Sequence, residues 1–296
     1  MFFESAIFYM GNKYKLLKYI IPLFPTECAT FYDLFGGSGV VSMNYKADRK
    51  VYNEFNGNIV ALQEMIKRED IEQLDKMYRK IVGEYGLRQK SSGDPKRNEQ
   101  GFLRLRDEYN KSQDRDVRIL FLLCCYSMNN IIRFNSDNEF NSSNGNQSYN
   151  KIIKNRLLAH HRLFQDVEIW NRDVFDIDFS QITEGDFVYL DPPYLNTTAV
   201  YNEKRAFGNW DRECDLRLFG LIDGLNERNV RFGMSNVFAC RGKENTHLIE
   251  WCADRGYQVH HLDRVKYYPF SRGSSGNDEV YITNIKTKVA EQLTLF

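Results

Sequence analysis

The sequence predicts an α/β fold interrupted by a helical insertion, on three observations. The first is a strand, a glycine-rich loop, a helix, a second strand and an acid in close succession between Thr30 and Lys67. The second is a charged, mostly helical stretch from about Asp70 to Asn130. The third is the return of short apolar runs after Phe164. One of them, Phe187-Val188-Tyr189-Leu190, opens into Asp191-Pro192-Pro193-Tyr194.

Taken in order, Leu16, Leu17, Ile20, Ile21 and Leu23 give a helix that stops near Pro22 and Pro25. Thr30–Leu34 is a strand, Phe35-Gly36-Gly37-Ser38-Gly39 a loop, and a helix starts at Val40. Val51–Asn53 is a second strand ending at Glu54, followed by a helix over Asn58–Lys67. The helical middle is broken at Ser91-Ser92-Gly93-Asp94-Pro95. Asn135–Asn150 is rich in Asn and Ser and nearly devoid of aliphatic residues, the composition of a mobile or a functional loop. A helix over Asn150–Phe164 leads into strands at Val167–Trp170 and Asp186–Leu190. A helix over Asp211–Glu227 and strands at Arg231–Ser235, Gln258–Arg264 and Glu279–Thr283 complete the pattern. The expected organisation is one discontinuous α/β domain, residues 1–65 and 161–290, with an insertion at 66–160 and a tail at 291–296.

The chain has 296 residues, 42% hydrophobic and 27% charged, a composition typical of soluble globular proteins. No apolar stretch approaches the roughly 20 residues that span a bilayer. The N-terminal residues lack a basic region followed by an apolar one, so no secretory signal is expected. Six cysteines without a C-x-x-C pair fit reduced thiols in a cytosol and argue against zinc. Forty basic and forty acidic residues cancel, yet Ile66–Gln165 holds 19 Lys and Arg against 13 Asp and Glu. That excess can turn a cationic face towards phosphates.

The Asp-Pro-Pro-Tyr turn carries the chemistry. The prolines fix the backbone and remove two N–H donors, leaving carbonyls free to accept beside a carboxylate that only accepts. Such a pocket suits an exocyclic amine with two N–H groups, held beneath the Tyr194 ring. It reads as a nucleobase site. The glycine loop is not a P-loop, because no Gly-Lys-Ser/Thr follows at the required spacing. Nor is it a full dinucleotide fingerprint, since Ser42 stands where the third glycine belongs. Glu54 at the end of the second strand can hold both hydroxyls of a ribose. Its closeness to the glycines suits an adenosine without a pyrophosphate.

Together these segments resemble the Dam-like (D12 class) adenine-N6 DNA methyltransferases, which use S-adenosylmethionine. Tyr9-Met10-Gly11-Asn12-Lys13 is similar to the family's N-terminal motif and Asp33–Gly39 to its methionine-moiety loop. Asn53-Glu54-Phe55-Asn56 resembles the ribose-acid motif, with Glu where Asp is usual. Arg133-Phe134-Asn135 and Glu139-Phe140-Asn141 resemble a further segment, with Asn138 in place of its glycine. Asp173-Val174-Phe175, Asp191–Tyr194 and Glu279–Asn284 follow in the family's order. The resemblance implies a Rossmann-like methyltransferase with a mixed seven-stranded sheet and an inserted, mainly helical target-recognition region. It implies transfer of a methyl group to N6 of an adenine flipped out of double-stranded DNA, in a bacterial or phage-encoded cytoplasmic enzyme of the restriction-modification kind.

By position, Tyr9, Lys13, Asp33, Phe35, Gly37, Glu54, Asp173 and Asp191 would hold S-adenosylmethionine, and no metal is called for. Asp191 and the Pro192 carbonyl would accept the two amine N–H bonds and Tyr194 would stack on the base. Arg133, Asn135 and Asn141 are the expected DNA contacts, with Asn144, Lys151, Lys154, Arg156 and Arg272 as further candidates. Related enzymes acting on RNA or on cytosine N4, and a module that binds without turnover, are the competing readings. Asp191 favours adenine, and the large insertion favours DNA. Finally, Gln292, Leu293, Leu295 and Phe296 resemble the peptide by which bacterial replication proteins dock on the sliding clamp.

Overall fold

The computed structural model describes residues 1–88, 95–195, 210–240, 242–262 and 278–286. The elements begin with α1 (Leu17–Ile20), β1 (Thr30–Asp33), α2 (Val40–Asn44), β2 (Arg49–Asn53) and α3 (Gly57–Arg68). Next come α4 (Ile71–Glu84), α5 (Glu99–Lys111), α6 (Val117–Tyr126), α7 (Lys151–Phe164), β3 (Val167–Trp170) and β4 (Phe187–Leu190). They end with α8 (Arg212–Glu227), β5 (Arg231–Cys240), β6 (Lys243–Glu244), α9 (Thr246–Arg255), β7 (Gln258–His261) and β8 (Asp278–Thr283). The expected α/β class is present, with a mixed sheet of eight strands, seven along its main path and β6 paired to β5.

The chain divides into two compact units. The first comprises Met1–Lys15, Gly36–Asn44 and Glu54–Asn171. The second comprises Leu16–Phe35, Tyr45–Asn53 and Arg172–Phe296. The boundaries expected from the sequence, after residues 65 and 160, both fall inside helices, α3 and α7.

The first unit is helical because its apolar residues recur on one face of each helix. Ile59, Leu62 and Ile66 of α3, Leu74 and Tyr78 of α4, and Phe102 and Leu105 of α5 all enter one core. α6 is apolar nearly all round, and its residues from Leu120 to Tyr126 are buried. Side chains close the helix starts. Asn56 accepts from the Asn58 amide, Asp70 from those of Glu72 and Gln73, and Asn150 from those of Ile152 and Ile153. The backbone bonds from Gln73 and Glu72 help hold the Asp70 carboxyl below its usual range.

The stretch Asn135–Asn150 is ordered where the composition allowed a mobile loop. Phe134 and Phe140 pair as an antiparallel bridge, and so do Ser127 and Asn144. Phe140 is fully buried and meets Phe134 edge-on, with ring centroids 5.7 Å apart. These aromatic anchors inside a polar run convert it into a short ribbon.

In the second unit the strand order is β2-β1-β4-β5-β8-β7, with β6 paired to β5. β1, β2, β4 and β5 pair in parallel, while β8 pairs antiparallel with β5 and β7. β1 and β4 are buried along their whole length, as expected for strands covered on both faces. Phe24 packs on Phe187 at 4.8 Å, and Phe31 on Tyr45 at 4.8 Å. β5 runs five residues past the expected Ser235, with a register shift between Val237 and Ala239. α9 and β6 were not expected from the sequence. α9 stops at Gly256, whose φ of 66° is the left-handed conformation glycine tolerates. The strand expected to reach Arg264 is β7, which ends at His261. Arg264 lies outside the described residues.

Candidate active site

In the first unit the glycine loop is held from several sides. Gly37 and Gly39 have φ of 49° and 75°. A Cβ on Gly37 would lie 3.2 Å from the half-buried Tyr9 ring, and one on Gly39 would lie 2.8 Å from Phe164 and Gln63. The Gly37 amide donates to Glu54 Oε2 at 3.0 Å, and the Asn56 amide to Glu54 Oε1 at 2.8 Å. Gln63 Nε2 donates to the Gly37 carbonyl at 3.4 Å, and Ser5 Oγ to the Ser38 carbonyl at 2.6 Å. Asn171 Nδ2 ties down the Glu54 and Phe55 carbonyls at 2.7 and 2.9 Å. Lys13 is buried, and its Nζ donates to the Gly11 carbonyl at 3.0 Å.

Glu54 is 5% exposed, and its two carboxylate oxygens accept from the Gly37 and Asn56 amides. A buried, oriented carboxylate beside a loop where Gly37 has a positive φ and a Cβ would crowd the Tyr9 ring fits the ribose of an adenosyl cofactor. Of the residues the sequence singled out, Tyr9, Lys13, Gly37 and Glu54 lie in this unit. The sequence did not single out Ser5, Gln63 and Asn171, polar residues without a motif whose side chains donate to the Ser38, Gly37, Glu54 and Phe55 carbonyls.

In the second unit, Asp33 ends β1 as a buried side chain, in register with Tyr189 of β4. Asp191 lies two residues beyond that partner, so two carboxylates stand at the carboxyl ends of adjacent parallel strands, where open α/β sheets bind ligands. The Tyr194 hydroxyl donates to Asp191 Oδ1 at 2.9 Å. Burial, and then the Asp191 charge, push the Tyr194 phenol well above its usual range, so it stays a neutral O–H donor. Pro192 is buried and Pro193 exposed.

Phe35 meets Trp210 edge-on at 5.6 Å, Phe175 stacks on the same indole at 5.9 Å, and Arg217 lies 4.2 Å over Phe175. Trp210 Nε1 donates to the buried Asp215 at 2.7 Å. Asp173 caps the turn over Val174–Asp176, accepting from the Phe175 amide at 3.0 Å. The place of Trp210 beside Phe35 and Phe175 was not legible, because those ring contacts join residues distant in sequence.

Of the expected DNA contacts, Arg133 donates to Asn141 Oδ1 and to the Asn141 carbonyl at 2.8 and 2.9 Å. The Asn135 side chain accepts from the Asp137 and Glu139 amides and donates to the Glu139 carboxylate. These three residues therefore build the ribbon. Lys154 pairs with Glu72 and Asp75, and Arg156 with Glu4. Arg272 and the tail residues Gln292, Leu293, Leu295 and Phe296 lie outside the described residues.

The first unit thus carries a glycine loop and the acid after the second strand, and the second unit a carboxylate-proline turn after β4. The model of the D12 class N6 adenine-specific DNA methyltransferases matches residues 9–266, and the chain belongs to that family. It is 36% identical over 294 residues to the modification methylase StsI of Streptococcus sanguinis, covering 97% of this chain and 44% of that protein. To the type II methyltransferase M.FokI of Planomicrobium okeanokoites it is 34% identical over 291 residues, covering 96% and 43%. To the DNA adenine methylase of Escherichia coli K12 it is 26% identical over 230 residues, covering 76% and 78%. The chain thus spans less than half the length of the first two relatives. No described helix is long and apolar enough to cross a membrane.

Proposed function

We propose that the chain transfers a methyl group from S-adenosylmethionine to N6 of an adenine flipped out of double-stranded DNA. Family membership supports the reaction class. The observation that carries the assignment of roles is the half-buried Asp191 at the carboxyl end of β4, oriented by the Tyr194 hydroxyl.

The adenine amine is a poor nucleophile because its lone pair is delocalised into the ring. Asp191 and the Pro192 carbonyl accept its two N–H bonds, which favours a pyramidal nitrogen and frees the lone pair. Both acceptors are fixed before the reaction, so they stabilise the positive charge growing on nitrogen without reorganising. S-adenosylmethionine, when bound, supplies an electrophilic methyl group. Glu54 would hold its ribose, with Tyr9, Lys13, Asp33, Phe35, Gly37 and Asp173 as the further residues expected to bind it. Tyr194 stacks on the flipped base. No metal enters this scheme. Residues 66–160 form the target-recognition region, with the ribbon built by Arg133, Asn135 and Asn141 turned towards DNA, and the enzyme works in the cytoplasm of a bacterial host.

Mapping N6-methyladenine in DNA from cells expressing the full chain, against an Asp191→Ala control, tests the proposal. Methylation at one sequence context with wild type alone is the expected result, and its absence from wild-type DNA rejects the function. Tyr194→Phe keeps the stacking ring but loses the hydroxyl bond to Asp191. It is expected to retain transfer within about tenfold, the scale of one charge-assisted hydrogen bond. Steady-state kinetics on duplex DNA measure this, and inactivity comparable to Asp191→Ala would show that the hydroxyl has a larger part than orientation.

The segment Gln292–Phe296 is proposed to dock on a sliding clamp. Immobilised clamp is expected to retain the full chain and not a chain lacking those five residues, and equal retention of both removes the idea.

A further inference from the structure

Trp210, in the second unit, stands just before Asp211, the residue that caps α8. Its indole is held by three partners. Phe35 meets it edge-on, Phe175 stacks on it with the planes 14° apart, and its Nε1 donates to Asp215 Oδ1 at 2.7 Å. Phe35, Phe175 and Trp210 are each half-buried, so the three rings keep aromatic surface open to a ligand.

The acceptor is itself held. Asp215 is 1% exposed, and a carboxylate so buried needs donors. His247 Nε2 donates to its second oxygen at 3.0 Å. A carboxylate turns readily about its last side-chain bond, whereas one with a donor on each oxygen has its plane fixed. His247 is set in turn by the packing of α9 on α8. Asp215, Phe219 and Asp223 fall four residues apart on one face of α8, and His247, Trp251 and Arg255 do the same on α9. Phe219 stacks on Trp251 at 4.2 Å, and Arg255 Nε donates to Asp223 Oδ2 at 2.9 Å. The Trp251 indole and the Tyr257 hydroxyl donate to Asp223 Oδ1 at 3.1 and 2.8 Å. Asp223 therefore only fastens α9 and the residues after it to α8. Asp215 gives one oxygen to α9 and the other to Trp210.

The cofactor of the proposed reaction has one flat aromatic part, its adenine, and a purine gains by stacking on an aromatic side chain. Phe35 and Asp173, two residues before Phe175, are among the residues proposed to bind that cofactor. We infer that Asp215 and His247 are positioning residues for the cofactor, locking the Trp210 indole as an aromatic wall against which the adenine lies. The inference rests on the proposed function and adds to it the groups that set the place of the adenine.

Calorimetric titration of the full chain with S-adenosylmethionine, together with tryptophan emission, tests this. Wild type is expected to bind and to change its emission on binding. Trp210→Phe keeps a ring but loses the N–H bond and part of the stacking surface. It should bind about tenfold more weakly and lose most of the emission change, although Trp170 and Trp251 still emit. His247→Leu removes the donor to Asp215 and should also weaken binding by about tenfold. His247→Gln restores an N–H donor and should stay within about twofold of wild type. The double variant Trp210→Phe/His247→Leu should bind no more weakly than Trp210→Phe, because His247 acts through Trp210. Losses that multiply in the double variant, equal losses in His247→Gln and His247→Leu, or unchanged binding and emission in Trp210→Phe each overturn the inference. Trp210→Phe and His247→Gln decide the matter even where His247→Leu does not fold. Wild type that fails to bind S-adenosylmethionine at all rejects the proposed function itself, a result distinct from tight binding that Trp210→Phe leaves untouched.

Discussion

Replacing Asp191 by alanine is expected to lower methyl transfer by about 10²–10³-fold or more, the scale on which removal of one preorganised transition-state contact is felt. The side chain follows β4 and is only half-buried, so its loss leaves the buried pairing of β4 with β1 and β5 intact. Asp191→Asn is the sharper variant. Its carbonyl oxygen still accepts from Tyr194, but its NH2 turns two donors towards an amine that itself offers only donors. Asn is therefore expected to be nearly as defective as Ala, although it is almost isosteric with Asp. Single-turnover methyl incorporation into duplex DNA separates chemistry from product release, and calorimetry with S-adenosylmethionine shows whether the cofactor still binds. Near wild-type transfer by either variant would remove Asp191 from the mechanism.

Asp191 was legible because the turn it belongs to is dictated locally. A buried apolar strand, two prolines and an aromatic ring fix one backbone path, and the strand falls where the sequence placed it, at Phe187–Leu190. Glu54 was legible for the same reason, at the end of a short buried strand. The hydrogen bond between Tyr194 and Asp191 was not, because Tyr194 was read only as a stacking ring. The ribbon shows the limit most clearly. Arg133, Asn135 and Asn141 have the side chains that read bases, yet Arg133 bonds Asn141, and Asn135 bonds Asp137 and Glu139 within the ribbon. Side-chain type alone does not distinguish a reader from a scaffold.

Glu54→Ala is expected to weaken S-adenosylmethionine binding by roughly tenfold to a hundredfold, the equivalent of one or two hydrogen bonds to a charged group. It should also lower the melting temperature by several degrees. The two effects have one origin. The Glu54 carboxylate is the acceptor for the Gly37 and Asn56 amides, and without it the buried Gly37 N–H loses its partner at about 1–3 kcal/mol, with a smaller loss at the part-buried Asn56 amide. Glu54→Gln separates the contributions. Its single carbonyl oxygen satisfies one amide, while its NH2 opposes the other, so most of the stability loss persists and the charge facing the ribose is gone. Glu54→Asp keeps the charge but is one methylene shorter. From the same backbone position it cannot reach the Gly37 amide while also bonding Asn56, so the loop should loosen even though an acid remains. The expected order of cofactor affinity is therefore Glu, then Asp, then Gln, with Ala weakest. Calorimetric titration alongside thermal melts tests that order. If Glu54→Ala melted early yet bound the cofactor as tightly as wild type, Glu54 would be a loop anchor alone and the ribose would have to be held elsewhere.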